Sequence, residues 1–252
     1  MKNEFGILYF CDQNPTYRRM LQMSLASLKR YHPNWPVEVV QVTSPPTPLW
    51  KKLYRMGSFW KWEKRRNRAG QDVRVIATKA NIMLNTPFRH TLYLDVDSFV
   101  MRPLDDIRDK LMSADVVITP LPWNTYTRNA DWQPASWPYM MAGIMGFSQH
   151  FVDVYSGYVS RFTDTIAKLP TQEQFIVSLC CEMEAKRLKI IKSPHLQLDV
   201  IDMEQHLGTS DFPTVDGGID LSWNGLKDFY IFHYNEFKPM YMKQIQELVS
   251  LS

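Results

Sequence analysis

Thr91 to Val100 reads TLYLDVDSFV. Thr91, Leu92, Tyr93 and Leu94 are strand formers that run into Asp95, Val96 and Asp97, and Pro103 marks where regular structure must change. A run this apolar suits a central strand buried on both faces. Two carboxylates stand at its downstream end. Residues two apart on a strand point to the same side, so Asp95 and Asp97 are expected to converge. Like charges that close repel unless a cation lies between them. The stretch therefore predicts a divalent metal site at the carboxyl end of a parallel strand, where open α/β sheets place their ligands. A lone Asp-x-Asp also occurs in solvated turns, so its surroundings must decide.

Upstream, Phe5 to Cys11 (FGILYFC) reads as a buried strand, Tyr17 to Tyr31 as a helix, and Val37 to Val42 as a second strand. This β-α-β opening predicts a parallel sheet with a right-handed crossover. Asp12 and Tyr17 would then lie at the carboxyl edge of the first strand. Tyr17 either stacks on a flat ring there or packs at the helix start. Arg74 to Leu84 is expected to be helical and to carry Lys79 towards the metal strand. There it either meets a phosphate or remains a surface lysine.

Downstream, Leu104 to Met112 predicts a short helix and Asp115 to Thr119 a strand. A loop with several tryptophans follows from Pro120 to Tyr139. Met140 to Ser148 (MMAGIMGFS) reads as a strand whose Ala142 and Gly143 leave room for a ligand or another backbone. Phe151 to Leu169 is a helix. Thr171 is a plausible N-cap ahead of Glu173 and Gln174 in the next one. Lys189 to Ile191, Leu196 to Ile201 and Phe229 to His233 are short strands. His206 to Gly225 is expected to be loop, and Met240 to Leu251 a closing helix.

Composition narrows the class. At 252 residues, 45% hydrophobic and 22% charged, the chain is an ordinary soluble globular protein. No stretch is long and apolar enough to cross a bilayer. The first residues look like a strand rather than a leader peptide. Three cysteines, two of them adjacent, form neither a disulfide framework nor a zinc spacing. These features point to a reducing cytoplasm. The net charge of +3 conceals an uneven distribution. Lys51 to Lys79 holds ten basic and two acidic residues, a net of +8, leaving −5 for the rest. Aromatic residues interleave with the cations there. The segment fits either a polyanion carrying bases, through Lys64, Arg65, Arg66 and Arg68, or an amphipathic helix with its charges outward.

The order of these parts resembles GT-A-fold glycosyltransferases, most closely the family-8-type retaining enzymes that include glycogenin and bacterial lipooligosaccharide galactosyltransferases. Four segments carry the resemblance: NTPFRHTLYLDVDSFV, MMAGIMGF, TQEQF, and the closing FHYNEFKP from Phe232. It implies one domain over residues 1–252, with a nucleotide-sugar half over about 1–110 and an acceptor half over about 111–252. It also implies a mostly parallel, Rossmann-like α/β sheet flanked by helices, with a small second sheet at the acceptor side. Asp95, Asp97 and His233 would hold Mn²⁺ or Mg²⁺, with Asp95 also reaching the nucleotide. Asp12 and Tyr17 would lie near the base, Ala142 and Gly143 under the donor sugar, and Lys238 on the diphosphate. Glu173 and Gln174 would be the catalytic pair where sugar and acceptor meet. The chain departs from the family in its shortened, glycine-free closing segment and in Glu173, where the family has aspartate.

The resulting expectation is a metal-dependent enzyme that moves a sugar, by resemblance from a UDP-hexose, to a hydroxyl with retention. The basic segment tilts the acceptor towards a hydroxymethylated pyrimidine in phage-type DNA. A lipopolysaccharide or other glycan acceptor, and a non-catalytic sugar-nucleotide-binding relative, are the alternatives.

Overall fold

The computed structural model describes residues 2–12, 15–42, 83–120, 140–166, 172–199, 214–215, 218–219 and 228–233. The opening unit is β1 (Asn3–Asp12), α1 (Pro15–Tyr31) and β2 (Val37–Val42). Pro15 stands first in α1, where its missing N–H costs nothing, and Lys29 and Arg30 sit at the negative end of the helix dipole. Next come β3 (Phe88–Asp95), β4 (Ser98–Val100), α2 (Asp105–Met112) and β5 (Val116–Pro120). The later elements are β6 (Met140–Ser148), α3 (Gln149–Ile166), α4 (Gln172–Met183), β7 (Ile190–Lys192) and β8 (Gln197–Asp199). Two short strands, β9 (Thr214–Val215) and β10 (Gly218–Ile219), precede β11 (Ile231–His233).

The central sheet has six strands among the described residues, in the order β2-β1-β3-β6-β5-β7. β1 pairs in parallel with both β2 and β3. β6 runs antiparallel to its neighbours β3 and β5, and β7 lies parallel to β5. Five of the six strands thus share one direction, as the opening β-α-β pattern requires. Both faces are covered. Ile7, Tyr9, Leu92 and Leu94 pack with Met20, Leu28, Ile107 and Leu111 from α1 and α2. Leu8, Tyr93, Val116 and Ile118 pack with Phe151, Tyr155, Ile176 and Val177 from α3 and α4. Alternate residues of one strand therefore enter opposite cores. Each fully buried Leu or Ile contributes roughly 1.5–3 kcal/mol.

A second, three-stranded sheet has the order β4-β11-β8. The expectation of one continuous strand across Thr91 to Val100 is corrected here. β3 ends at Asp95, Val96 and Asp97 form a turn, and the chain re-enters as β4 in this other sheet. Two buried serines of α1 dock β4. Ser27 Oγ accepts the Val100 N–H at 2.9 Å and donates to Ser24 O at 2.7 Å.

Two further corrections are local. The stretch from His206 to Gly225 is not all loop, because β9 and β10 pair antiparallel, with Gly218 opposite Val215. The two residues between them in sequence are Asp216 and Gly217, a favoured two-residue hairpin pair. α3 begins at Gln149 rather than Phe151, because Ser148 Oγ accepts the Phe151 N–H at 3.1 Å as an N-cap. The expected helix around Lys79, the loop from 121 to 139 and the closing helix from Met240 lie outside the described residues.

Candidate metal and donor site

Asp95 is the last residue of β3, at the carboxyl edge of the parallel strands. Asp97 lies in the turn that follows. His233 ends β11 and pairs across the second sheet with Ser98. The β3–β4 turn and the β4–β11 pairing therefore bring together residues 136 apart in sequence. His233 Nε2 stands 3.1 Å from Asp97 Oδ1 and 3.9 Å from Asp95 Oδ2. One ligand atom from each of the three lies within 4.8 Å of the others. Metal–oxygen bonds of about 2.1 Å put neighbouring ligands about 3 Å apart and opposite ligands about 4.2 Å apart. The two distances from His233 fit that spacing, and two carboxylates with one imidazole suit Mn²⁺ or Mg²⁺. Their side chains are 21%, 15% and 11% exposed for Asp95, Asp97 and His233, so the three groups are shielded yet reachable.

β6 supplies the floor. Ile118 of β5 pairs with Met145, but the next residue, Thr119, pairs with Met141. Ala142, Gly143 and Ile144 are thus extra residues on β6, a bulge of the kind that re-aims a strand beside a functional site. A β-carbon added at Gly143 would stand 2.8 Å from Asp95 Oδ2 and 3.2 Å from His233 Cε1. Only glycine lets β6 pass this close. Ala142 is fully buried in the core, so its contribution here is small size.

α4 is tied to the same strand. Met140 N donates to Ser178 Oγ at 3.0 Å, and Ser178 Oγ donates to Gln174 O at 2.7 Å. This relay holds the first turn of α4, with Glu173 and half-buried Gln174, to the start of β6. Phe10 of β1 pairs with Asp95, which sets Asp12 just beyond the same sheet edge. Tyr17 packs, partly buried, against the core. The side chains of Asp12 and Glu173 lie outside the described residues. So do Lys64, Arg65, Arg66, Arg68, Lys79 and Lys238 altogether.

Sequence reading missed three supports. Tyr93 Oη donates to Asp95 Oδ1 at 2.6 Å. A buried hydroxyl chain links Tyr9 Oη to Ser24 Oγ (2.9 Å) and Ser24 Oγ to Ser98 Oγ (3.2 Å), opposite His233. Burial pushes the Tyr9 hydroxyl pKa well up, so it stays a neutral partner to Ser24. Ser178 is the third. Of these, only Tyr93 carried a signal, its position two residues before Asp95 on one strand face.

No family description matches the sequence, and no curated protein matches it by sequence. Its structure is similar to solved ones. The galactosyltransferase LgtC, solved with donor and acceptor sugar analogs, aligns over 98% of this chain and 95% of its own, with TM-score 0.55 and 13% identity. Mouse xyloside xylosyltransferase 1 in its apo form aligns over 94% and 99%, with TM-score 0.54 and 12% identity. A glycosyltransferase involved in glycosylation of the PBCV-1 major capsid aligns over 98% and 100%, with TM-score 0.50 and 12% identity. At such identities the likeness speaks for architecture: this chain has the GT-A fold of the glycosyltransferases.

Proposed function

We propose that the chain is a metal-dependent glycosyltransferase that moves a hexose from a UDP donor to a hydroxyl acceptor with retention. The observation that carries this reading is the meeting of Asp95, Asp97 and His233 at the carboxyl edge of the parallel strands, over a floor cleared by Gly143. Asp95, Asp97 and His233 hold Mn²⁺ or Mg²⁺, which when bound stabilises the negative charge of a departing diphosphate. Lys238 and Lys79 add positive charge around the same phosphates. Asp12, the last residue of β1, and Tyr17, early in α1, receive the nucleoside. Glu173 and Gln174, on the turn of α4 tied to β6, face the sugar and the acceptor. The acceptor proton leaves to the departing phosphate, so no dedicated base is needed. A covalent step on Glu173 is the alternative route to retention.

The acceptor is a hydroxyl, and a glycan is the favoured source. LgtC was solved with acceptor sugar analogs, and the mouse enzyme is named for a xyloside. A DNA acceptor has only the cations and interleaved aromatic residues of Lys51 to Lys79 in its favour.

The test is incubation with Mn²⁺ and a panel of sugar nucleotides, against simple glycosides and hydroxymethylated duplex DNA, read by mass spectrometry. Transfer of one hexose to a glycoside, stopped by a chelator, is the expected result. Transfer to the DNA alone would restore the nucleic-acid reading. No transfer and no hydrolysis of any donor would sink the enzyme assignment.

A further inference from the structure

We infer that Tyr93 is a positioning residue for the metal site, fixing which oxygen of Asp95 faces the cation. The inference rests on the metal site proposed above. Tyr93 is fully buried, and its ring belongs to the core cluster under α3 and α4. Packing of the ring sets where its hydroxyl ends. That hydroxyl donates to Asp95 Oδ1 at 2.6 Å, the length of a short O–H···O⁻ bond. Asp95 Oδ2 is the oxygen that stands 3.9 Å from His233 Nε2. It is also the oxygen a β-carbon at residue 143 would strike. The two carboxylate oxygens thus have separate surroundings, one held by the Tyr93 hydroxyl and one beside His233 and Gly143.

The terminal torsion of an aspartate is broad and roughly two-fold, so on its own it does not choose between its oxygens. At this position a phenylalanine would fill the core equally well. What the hydroxyl adds is orientation, because the residue two before Asp95 on the strand shares its face. Groups that hydrogen-bond a metal-ligating carboxylate typically change metal affinity by 10–100-fold when removed.

The test is Mn²⁺ affinity, read from the electron paramagnetic resonance of free Mn²⁺, for wild type, Tyr93→Phe and Tyr158→Phe. Tyr158 Oη also donates to a carboxylate, Glu184 Oε1 at 2.9 Å, between α3 and the turn that follows α4. It controls for the loss of a tyrosine hydroxyl in general. Tyr93→Phe is expected to bind Mn²⁺ about tenfold more weakly while Tyr158→Phe matches wild type. Equal affinity in Tyr93→Phe and wild type would overturn the inference. An equal loss in both variants would overturn it too. Failure of wild type itself to bind Mn²⁺ would remove the underlying metal site as well, a separate and recognisable outcome. If Tyr93→Phe does not fold, wild type labelled with ¹³C at Cζ of residue 93 alone supplies the answer. Its resonance is expected to shift on saturation with Mg²⁺, and an unmoved resonance would overturn the role.

Discussion

Gly143 lies against Asp95 so closely that a β-carbon at residue 143 would stand 2.8 Å from Asp95 Oδ2. No carbon sits that near a carboxylate oxygen without displacement. Asp95 cannot yield freely, because Tyr93 holds its other oxygen. The bulge in β6 and the end of β3 are therefore shaped to one another. Gly143→Ala should displace the carboxylate rather than unfold the chain, at an overpacking cost of about 1–3 kcal/mol. A fall in Mn²⁺ affinity of about tenfold or more is expected, with far-ultraviolet circular dichroism unchanged. Wild-type affinity in that variant would show that Asp95 is not a ligand.

Asp97 and His233 come from segments that meet only in the folded chain. Asp97→Asn and His233→Ala should each lower turnover of the sugar nucleotide about 10²–10³-fold, the usual loss on removing one pre-placed charge-stabilising group. Chelation of wild type should have an effect at least as large, reversed by Mn²⁺. A steady-state donor-hydrolysis assay reads all three. Retained turnover under chelation would point to a different chemistry.

Ser178 joins α4 to β6 with two hydrogen bonds. Ser178→Ala leaves the Met140 N–H without that partner, which should cost about 1–3 kcal/mol. Urea unfolding measures this directly. The same substitution frees the turn that carries Gln174, so the KM for acceptor should rise along with the loss of stability. An unchanged unfolding midpoint would mean that the helix is held by packing alone.

His32 gives the fold a pH dependence. Its Nε2 accepts the Leu104 N–H at 2.7 Å, and its ring stacks on Trp35 with centroids 3.6 Å apart. Burial holds its pKa below the usual 6.5, with Arg108 acting in the same direction and Asp105 opposing. The unfolded chain therefore binds this proton more readily than the native one. The contribution to stability is full above about pH 6.5 and is lost as pH falls towards the lowered native value. His32→Gln should unfold at lower urea than wild type at pH 7.5, with the gap narrowing by pH 5.5. A gap that stays constant across that range would show that His32 does not titrate with unfolding.

Much of the architecture was legible because the inner strands of the central sheet are buried on both faces and read as apolar runs, while the edge strand β2 keeps its alternating valines. Val37 to Val42 and Met140 to Ser148 have the expected limits. The break after Asp95 was not legible. Ser98, Phe99 and Val100 continue the apolar pattern, and what diverts them is pairing with Ile231 to His233, far along the chain. The convergence of Asp95 and Asp97 was expected for a geometric reason that the fold does not use. A turn, not strand alternation, brings them together. Gly143 was marked by being a glycine in a strand, but the bulge around it depends on the register of β5. Ser24 and Ser27 gave no signal in the sequence of α1. They are buried because they bond to β1, β4 and their own helix. The Asp216-Gly217 pair was a local hairpin signal that could have been read.

Anomalous scattering at the manganese edge, from crystals grown with Mn²⁺ and UDP, tests the metal site most directly. The expected result is a single strong peak bounded by Asp95, Asp97 and His233, absent from crystals of His233→Ala grown the same way. A peak elsewhere, or none in the wild type, would contradict it.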